Sequence, residues 1–501
     1  MVSLGKQRKT LRKALCAGVK GSCFLYPYSL LSTEDGQELP RLIDADLVVA
    51  DEAHCLTGDS ARAKRWWDWV TRTRVENPPV GICLSGTLLR KSIVDYYRVA
   101  KWAMAERSPM PRTKSMVTTW SEGLQSMRDE ATEKDWVPHS SSRALAPVCK
   151  WAGVEFRGRP RLGQCQEAYR RRLYSAPGFV PAAEGSVAAG LKIRNRELKP
   201  SPELLSMMID AERDWIDPAG EPVLYAIEKH ELLRELSAGI WLRKYWPDMP
   251  GSREARDAYQ AKAVWLRELR AWHGARVRPP EGLDTPGLVH NALLDRSEGL
   301  WERLSDNVVI TWDEWQAKER KVPEGAPGRE TEVQLLDPYK VNAMVEYAVG
   351  GFSSLPRRMG GIIWHQHEAV GDWCEAALRE AGQKVLRKGA GANWLRDDGS
   401  EKFWVVASIG AHGTGRNLQH MAQAQWIMQL PGAGTTEQLL GRVHRAGVER
   451  YGVDVVEVAT CLSTPWDWEQ ARRTLRITRD HARLHGGSRK LTIADYCPPW
   501  T

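Results

Sequence analysis

Apolar positions follow two different rhythms along the chain. Over residues 1–107, short apolar runs alternate with amphipathic stretches: GSCFLYPYSLL, LIDADLVV, the Trp-rich AKRWWDWV at 63–70, VGICLSGTLL and DYYRVAKWAMAE. Continuous apolar runs bounded by turn residues predict buried strands of a parallel sheet, and the stretches between them have helical spacing. From 108 to 335 strand signals thin out, and segments such as PELLSMMIDAERDWI and YAIEKHELLRELSAGIWLRKYW predict helices. Pro/Gly breaks at 177–178, 217–222, 247–251 and 279–287 punctuate them. From 338 the alternation returns with GGIIWHQ, EAVGDWCEAALREAG, KFWVVASIG, AQWIMQLP, a helix over 435–447 and DVVEVATCL; the amphipathic WDWEQARRTLRITRDHARL closes the chain. The pattern predicts strands at 47–50, 81–84, 361–365, 404–408, 425–429 and 454–459, the first two in one sheet and the rest in another. No repeat of solenoid period and no low-complexity run interrupts it.

Composition narrows the class. The chain has 501 residues, enough for two or three domains with their own cores, and its 42% hydrophobic and 27% charged residues are those of a globular protein. No stretch is long and apolar enough for a membrane span. The basic N-terminus has no apolar core of a signal peptide, so the expected setting is the cytosol. Nine cysteines, odd in number and without a CxxC pair, argue against a disulfide framework and against a zinc site of ordinary spacing. The net charge of +8 suits a polyanion partner. Lys6, Arg8, Lys9, Arg12, Lys13 and Lys20 lie in an acid-free start, and a second basic stretch, 157–199, includes Arg170, Arg171 and Arg172. These arginines are read as lining a nucleic-acid path, or else as a solvated helix face.

Candidate chemistry begins at 48–54, VVADEAH, where an apolar run stops at two acids. Acids at the carboxyl end of a parallel strand stand where open α/β sheets bind ligands. Asp51 there can hold Mg²⁺ through water, and Glu52 can polarise the water that attacks a γ-phosphate. DEAH by itself is also compatible with an ordinary turn. A second strand runs into Ser85-Gly86-Thr87. Residues 403–419, FWVVASIGAHGTGRNLQ, give a strand and a Gly-rich turn, followed by the helical TTEQLLGRVHRAG at 435–447 with Gln438, Arg442 and Arg445. Gly413 and Gly415 permit a turn with exposed N–H groups, suited to phosphate. At a spacing of three, Arg442 and Arg445 share a helix face, with Gln438 one turn before them. His365 and His367 share a strand face, but no third metal ligand is evident.

The order and spacing of these segments resemble the motor core of superfamily 2 DEAD/DEAH-type helicases. VVADEAH resembles motif II, SGT motif III, AHGTGRNLQ motif V and QLLGRVHRAG motif VI; GGIIWHQHE at 360–368 resembles motif IV less specifically. The closest resemblance is to the SWI/SNF-like subgroup found in tailed bacteriophages. It implies an α/β fold of two RecA-like motor domains, the first incomplete, separated by a large, mainly helical insertion. The corresponding boundaries are 1–107, 108–335, 336–465 and a C-terminal helix and tail over 466–501. It implies ATP and Mg²⁺ as cofactors, DNA as partner with RNA not excluded, and a bacterial host cytosol as location. Asp51, Glu52, Arg442 and Arg445 are then catalytic, with Asp51 holding Mg²⁺ through water. His54, Ser85, Thr87, Gly415 and Gln438 bind nucleotide or couple its state to grip. Thr414 and Arg416 contact the nucleic-acid backbone, and Asn417 ties motif V to the site.

One part of the resemblance is missing. A P-loop needs GxxxxGK[ST] between a strand and a helix. No such run occurs, and LGKQRKT at 4–10 lacks both the spacing and the strand. The expectation is a motor whose P-loop is lost, or comes from further coding sequence or a separate polypeptide. The rival is a non-hydrolysing remnant that binds nucleic acid or a partner.

Overall fold

The computed structural model describes residues 2–3, 24–25, 28, 31, 45–57, 60–72, 79–85, 92–125, 127–128, 135–180, 187–276, 280, 283, 285–296, 299–350, 360–388, 403–413, 417–485 and 489–496. The fold is mixed α/β and divides into two compact units. One comprises residues up to Ala188 with Pro431–Gly441 and Arg472–Ala494; the other holds Ala189–Leu430, Arg442–Ala471 and Asp495–Thr501.

In the first unit, β1 (Leu47–Ala50) pairs in parallel with β2 (Val80–Cys83), Leu47 opposite Val80 and Ala50 opposite Cys83. Alternation along β1 sends Val48 and Ala50 into a core shared with Trp66, Val70, Tyr96 and Trp120. The opposite face is apolar as well, yet it is open. Leu47 and Val49 are each 52% exposed, Val80 66%, Ile82 42% and Leu84 49%. β1 is therefore covered on one face, where the sequence predicts a strand buried on both. Helices α1 (Ala61–Arg72), α2 (Tyr97–Met104), α3 (Lys114–Leu124), α4 (His139–Trp151) and α5 (Leu162–Tyr174) complete this part. Thr113 caps α3 by accepting the Met116 N–H, a favoured side-chain oxygen at a helix start.

The second unit is built on seven parallel strands: β3 (Gly190–Asn195), β6 (Gly360–His365), β7 (Val385–Lys388), β8 (Trp404–Ser408), β9 (Ala422–Ile427), β10 (Val455–Thr460) and β11 (Asp495–Tyr496). Their order is β7-β8-β6-β9-β10-β3-β11. Ile362, Ile363, Val406, Trp426 and Ala459 are buried, as a sheet covered on both faces requires. Helices α6 (Pro202–Arg213), α7 (Ala226–Ser237), α11 (Tyr339–Gly350), α12 (Glu368–Glu380), α13 (Ala433–Val443) and α14 (Pro465–His485) follow in chain order. The division into units falls within α13 and within α14. An antiparallel ribbon, β4 (Ile240–Tyr245) with β5 (Glu330–Leu335), brackets α8 (Ser252–Gly274), α9 (Pro286–Leu294) and α10 (Asp306–Glu319). Those three helices have their own core of Trp265, Leu269, Trp272, Val308, Trp312 and Trp315.

The six expected strands fall within three residues of their expected bounds, in two separate sheets. The expected insertion 108–335 differs. It is mostly helical but is not one body, because the unit boundary passes between Ala188 and Ala189. Moreover β3, inside the expected insertion, is an inner strand of the large sheet. Leu191 and Ile193 alternate inward while Lys192 and Arg194 lie less buried, so a strand of only six residues carries a basic signature.

Candidate nucleotide and nucleic-acid site

In the first unit, the backbone itself joins the ends of β1 and β2. The Leu84 N–H donates to the Ala50 carbonyl, and the Ala53 N–H to the Leu84 carbonyl, each at 2.9 Å. Asp51 and Glu52 form the turn that leaves β1, and a short 3-10 turn, Ala53–Leu56, follows. Asp51 is exposed; its Oδ1 accepts the Glu52 N–H at 3.0 Å. Glu52 has φ 51°, ψ 46°, the left-handed region. For a residue with a Cβ this costs about 1–2 kcal/mol, and such strain in a turn clusters at functional sites.

His54 is buried at 2% exposure. Its Nδ1 lies 3.1 Å from Ser85 Oγ and 3.0 Å from Glu52 Oε2. One imidazole nitrogen thus bridges the first acidic turn and Ser85, two residues beyond β2. Tyr28, unassigned by the sequence, donates its hydroxyl to the Asp51 carbonyl at 2.7 Å. Burial, with Cys55, Cys83, Asp51 and Glu52 around it, raises the Tyr28 hydroxyl far above its usual range and keeps it a donor. Burial also pushes the Cys83 thiol up to about 12. Thr87 lies outside the described residues.

In the second unit, β8 ends at Ser408 and a single helical turn, Ile409–His412, follows. A Cβ on Gly413 would lie 2.5 Å from the Ile409 carbonyl oxygen, so this turn excludes side chains. Thr414, Gly415 and Arg416 lie outside the described residues. Arg442 is 7% exposed, and its Nε donates to the Gly413 carbonyl at 3.0 Å. Arg445 is exposed and donates to Asn417 Oδ1. The residues resembling motifs V and VI are therefore bonded to one another. Gln438 is half-buried within α13.

Arg442 and Arg445 do not share a helix face as expected. α13 ends at Val443, and Arg445 stands in the following turn. The Arg442 carbonyl accepts the Leu418 N–H at 2.9 Å, and His444 Nε2 contacts the Ala189 carbonyl at 2.8 Å. These tertiary partners end the helix. Arg442 consequently steadies the Gly413 turn, while Arg445 presents the accessible guanidinium.

His365 is not a metal ligand here. Its Nδ1 donates to the His367 carbonyl at 3.0 Å, and its Nε2 accepts from Arg387 at 2.7 Å. Both nitrogens are used, and burial with the Arg387 charge lowers its pKa to about 4, so it is neutral. Among the described residues no three His, Cys, Asp or Glu side chains group to hold a metal. Arg387, missed by the sequence reading, also pairs with Glu368 at 2.6 Å. A Cβ on Gly371 would sit 1.9 Å from its guanidinium. The signal for that arginine was only the glycine that makes room for it.

The three arginines assigned to nucleic acid are tied to the protein. Arg170 pairs with Glu167, and Arg171 bonds Glu167 at 2.8 Å and the Ala152 carbonyl at 2.8 Å. Arg172 donates to the Pro109 carbonyl at 2.8 Å, with its guanidinium 5.7 Å from the Trp120 and Trp151 ring centres. Further along, Arg194 of β3 lies 3.3 Å from buried Glu457. Among the described residues no helix is long and apolar enough to cross a membrane.

No family model and no curated protein matches the chain. Among solved structures, the C-terminal part of the Fun30 ATPase domain is 14% identical, with a TM-score of 0.28, covering 60% of this chain and 99% of that one. The Pyrococcus furiosus Hef helicase domain is 13% identical, with a TM-score of 0.35, covering 93% of this chain and 80% of that one.

Proposed function

We propose that this chain is most of an ATP-dependent nucleic-acid motor of the superfamily 2 helicase type, acting on DNA in replication or recombination in a phage-infected cell. The observation that carries the reading is the pairwise bonding of the motif segments: His54 to Ser85 in one unit, Arg445 to Asn417 and Arg442 to Gly413 in the other. Residues of an ordinary turn have no reason to be linked in this order.

In this reading Asp51 is the carboxylate that holds Mg²⁺ through water. An exposed carboxylate at a strand's carboxyl end, with one oxygen already oriented by a backbone N–H, fits that duty. The ion supplies neutralisation of phosphate charge when bound. Glu52 orients the attacking water, and its contact with His54 fixes the carboxylate's direction. Arg445 neutralises charge on the transferring phosphoryl group, and Arg442 is a positioning residue for the Gly413 turn. Thr87, Gly415 and Gln438 contact nucleotide or couple its state; Thr414 and Arg416 contact the nucleic-acid backbone.

In this reading the P-loop is either lost or supplied by a separate polypeptide, and we propose the second. The open apolar face of β1 and β2 supports this, because parallel strands are ordinarily covered on both faces. The test is phosphate release by the 501-residue chain, with and without DNA, alone and with a strand–GxxxxGK[ST]–helix segment supplied by fusion or in trans. Alone, the chain should hydrolyse little ATP, since positioning by the P-loop supplies most of phosphoryl-transfer catalysis. The completed protein should show DNA-stimulated hydrolysis, abolished by Glu52→Gln or Arg445→Ala. A completed protein that binds DNA but stays inactive would favour the non-hydrolysing remnant. Strong, Glu52-dependent hydrolysis by the bare chain would remove the need for a P-loop partner.

A further inference from the structure

The chain contains 23 tryptophans, yet among those whose side chains are described only Trp151 is strongly exposed, at 56%. An indole left in water when the other described indoles are buried or half-buried calls for a reason. Trp151 is the last residue of α4, and it is not loose. The Arg172 guanidinium lies 5.7 Å from its ring centre, itself fixed by the Pro109 carbonyl and the Trp120 ring. A cation held against one face of an indole orders the ring before any ligand arrives.

The chain on either side of Trp151 is basic. Between His139 and Arg161 there are five cations, Arg143, Lys150, Arg157, Arg159 and Arg161, against one acid, Glu155. All five are exposed. Arg157, Arg159 and Arg161 alternate across a tight turn in which Gly158 has φ 71°. No carboxylate among the described residues forms an ion pair with them. The turn is itself well fixed: the Val154 N–H donates to the Cys149 carbonyl at 2.9 Å, and Gln164 Nε2 to the Glu155 carbonyl at 2.7 Å. These bonds hold the loop against both α4, which carries Trp151, and the start of α5.

We infer that this surface, Trp151 with Arg157, Arg159 and Arg161, is a binding site for single-stranded nucleic acid. The chemistry decides the ligand. Guanidinium forks match phosphate oxygens, and an exposed, pre-ordered indole stacks on an unpaired base of any sequence. A duplex offers phosphates but no free base face, so the indole would gain little from it. The inference deepens the motor reading by naming a strand contact outside its motifs, and it moves that contact from Arg170, Arg171 and Arg172 to the preceding loop.

The experiment measures binding of fluorescein-labelled oligo(dT) and of a labelled duplex by the full chain without nucleotide, over a range of salt. Trp151→Ala should weaken oligo(dT) binding roughly ten-fold, while Trp151→Phe keeps most of it. Duplex binding should change less than two-fold for either. The triple Arg157→Gln, Arg159→Gln, Arg161→Gln variant should weaken both ligands. Its log–log salt slope on oligo(dT) should be shallower by about 2, at about 0.7 for each lost phosphate contact. The replaced side chains are exposed, so melting temperatures should match the parent and exclude unfolding. Parent-like oligo(dT) binding by Trp151→Ala and by the triple variant would overturn this site and leave the motor reading standing. A parent chain that binds neither ligand at low salt would overturn the motor reading itself. Equally tight, Trp151-dependent binding of poly-glutamate would overturn the nucleic-acid assignment in favour of an acidic protein surface.

Discussion

At the scale of single residues, Glu52 joins chemistry and strain. Its left-handed backbone turns the chain sharply between β1 and the Ala53–Leu56 turn, and this directs its carboxylate at His54. Glycine adopts that backbone without the Cβ penalty, although it gains freedom when unfolded. The side chain is 42% exposed and its contact with His54 adds little stability. Glu52→Gly should therefore leave thermal stability unchanged or raise it by up to about 1 kcal/mol. The same variant should lose the hydrolysis of the completed protein. A clear drop in melting temperature would mean that the carboxylate is structural. The placement of Asp51, Glu52, His54 and Ser85 just beyond strand ends was legible because strand ends are read from short apolar runs. Arg445 was misplaced because Leu418 competes for the Arg442 carbonyl, a contact between residues distant in sequence. Tyr28 and Arg387 were invisible for the same reason.

Secondary elements carry a pH dependence. Along α14, His481 and His485 are one turn apart, and the Nε2 atom of each is buried without a hydrogen-bond partner among the described residues. Burial, and after it the Arg489 charge, lowers the His481 pKa to about 4 and that of His485 to about 3. Asp95 partly opposes this at His481, and the Tyr96 ring lies 5.9 Å from that of His485. The unfolded chain takes up these protons near the ordinary value of about 6.5, the folded chain only well below it. Their contribution to stability is thus complete above about 6.5 and is lost as pH falls towards 4, by up to about 1.4 kcal/mol per pH unit for each histidine. Urea midpoints should fall between pH 7 and pH 5. Replacing both histidines with Gln should flatten that fall, and an unchanged pH profile would assign it to other groups. β3 shows why some elements escaped the sequence reading. Its alternation extends over only Leu191 and Ile193, and its outward positions carry the charge that looked like a ligand-binding face.

For the whole molecule, periodicity revealed six of the strands but not which unit each segment joins. Membership depends on contacts such as those of β3 with β10, which bring residues 190–195 against 455–460 and divide the expected insertion. The open face of β1 and β2 follows from the same physics. Leu47, Val49, Val80, Ile82 and Leu84 look like core in sequence, yet each stays 42–66% exposed. Burying side chains of this kind stabilises by about 1.5–3 kcal/mol each, enough to bind a completing polypeptide and enough to promote self-association without one. Replacing Val49 and Val80 with Lys should therefore raise the monomer fraction of the isolated chain in light scattering. Melting temperature should stay within about 2 °C, because exposed substitutions away from special features change stability little. The same variant should no longer gain DNA-stimulated hydrolysis from a P-loop segment, since a charged face resists burial. A collapse of the melting temperature would show that this chain covers the face itself, and the case for a completing partner would then rest on the motifs alone.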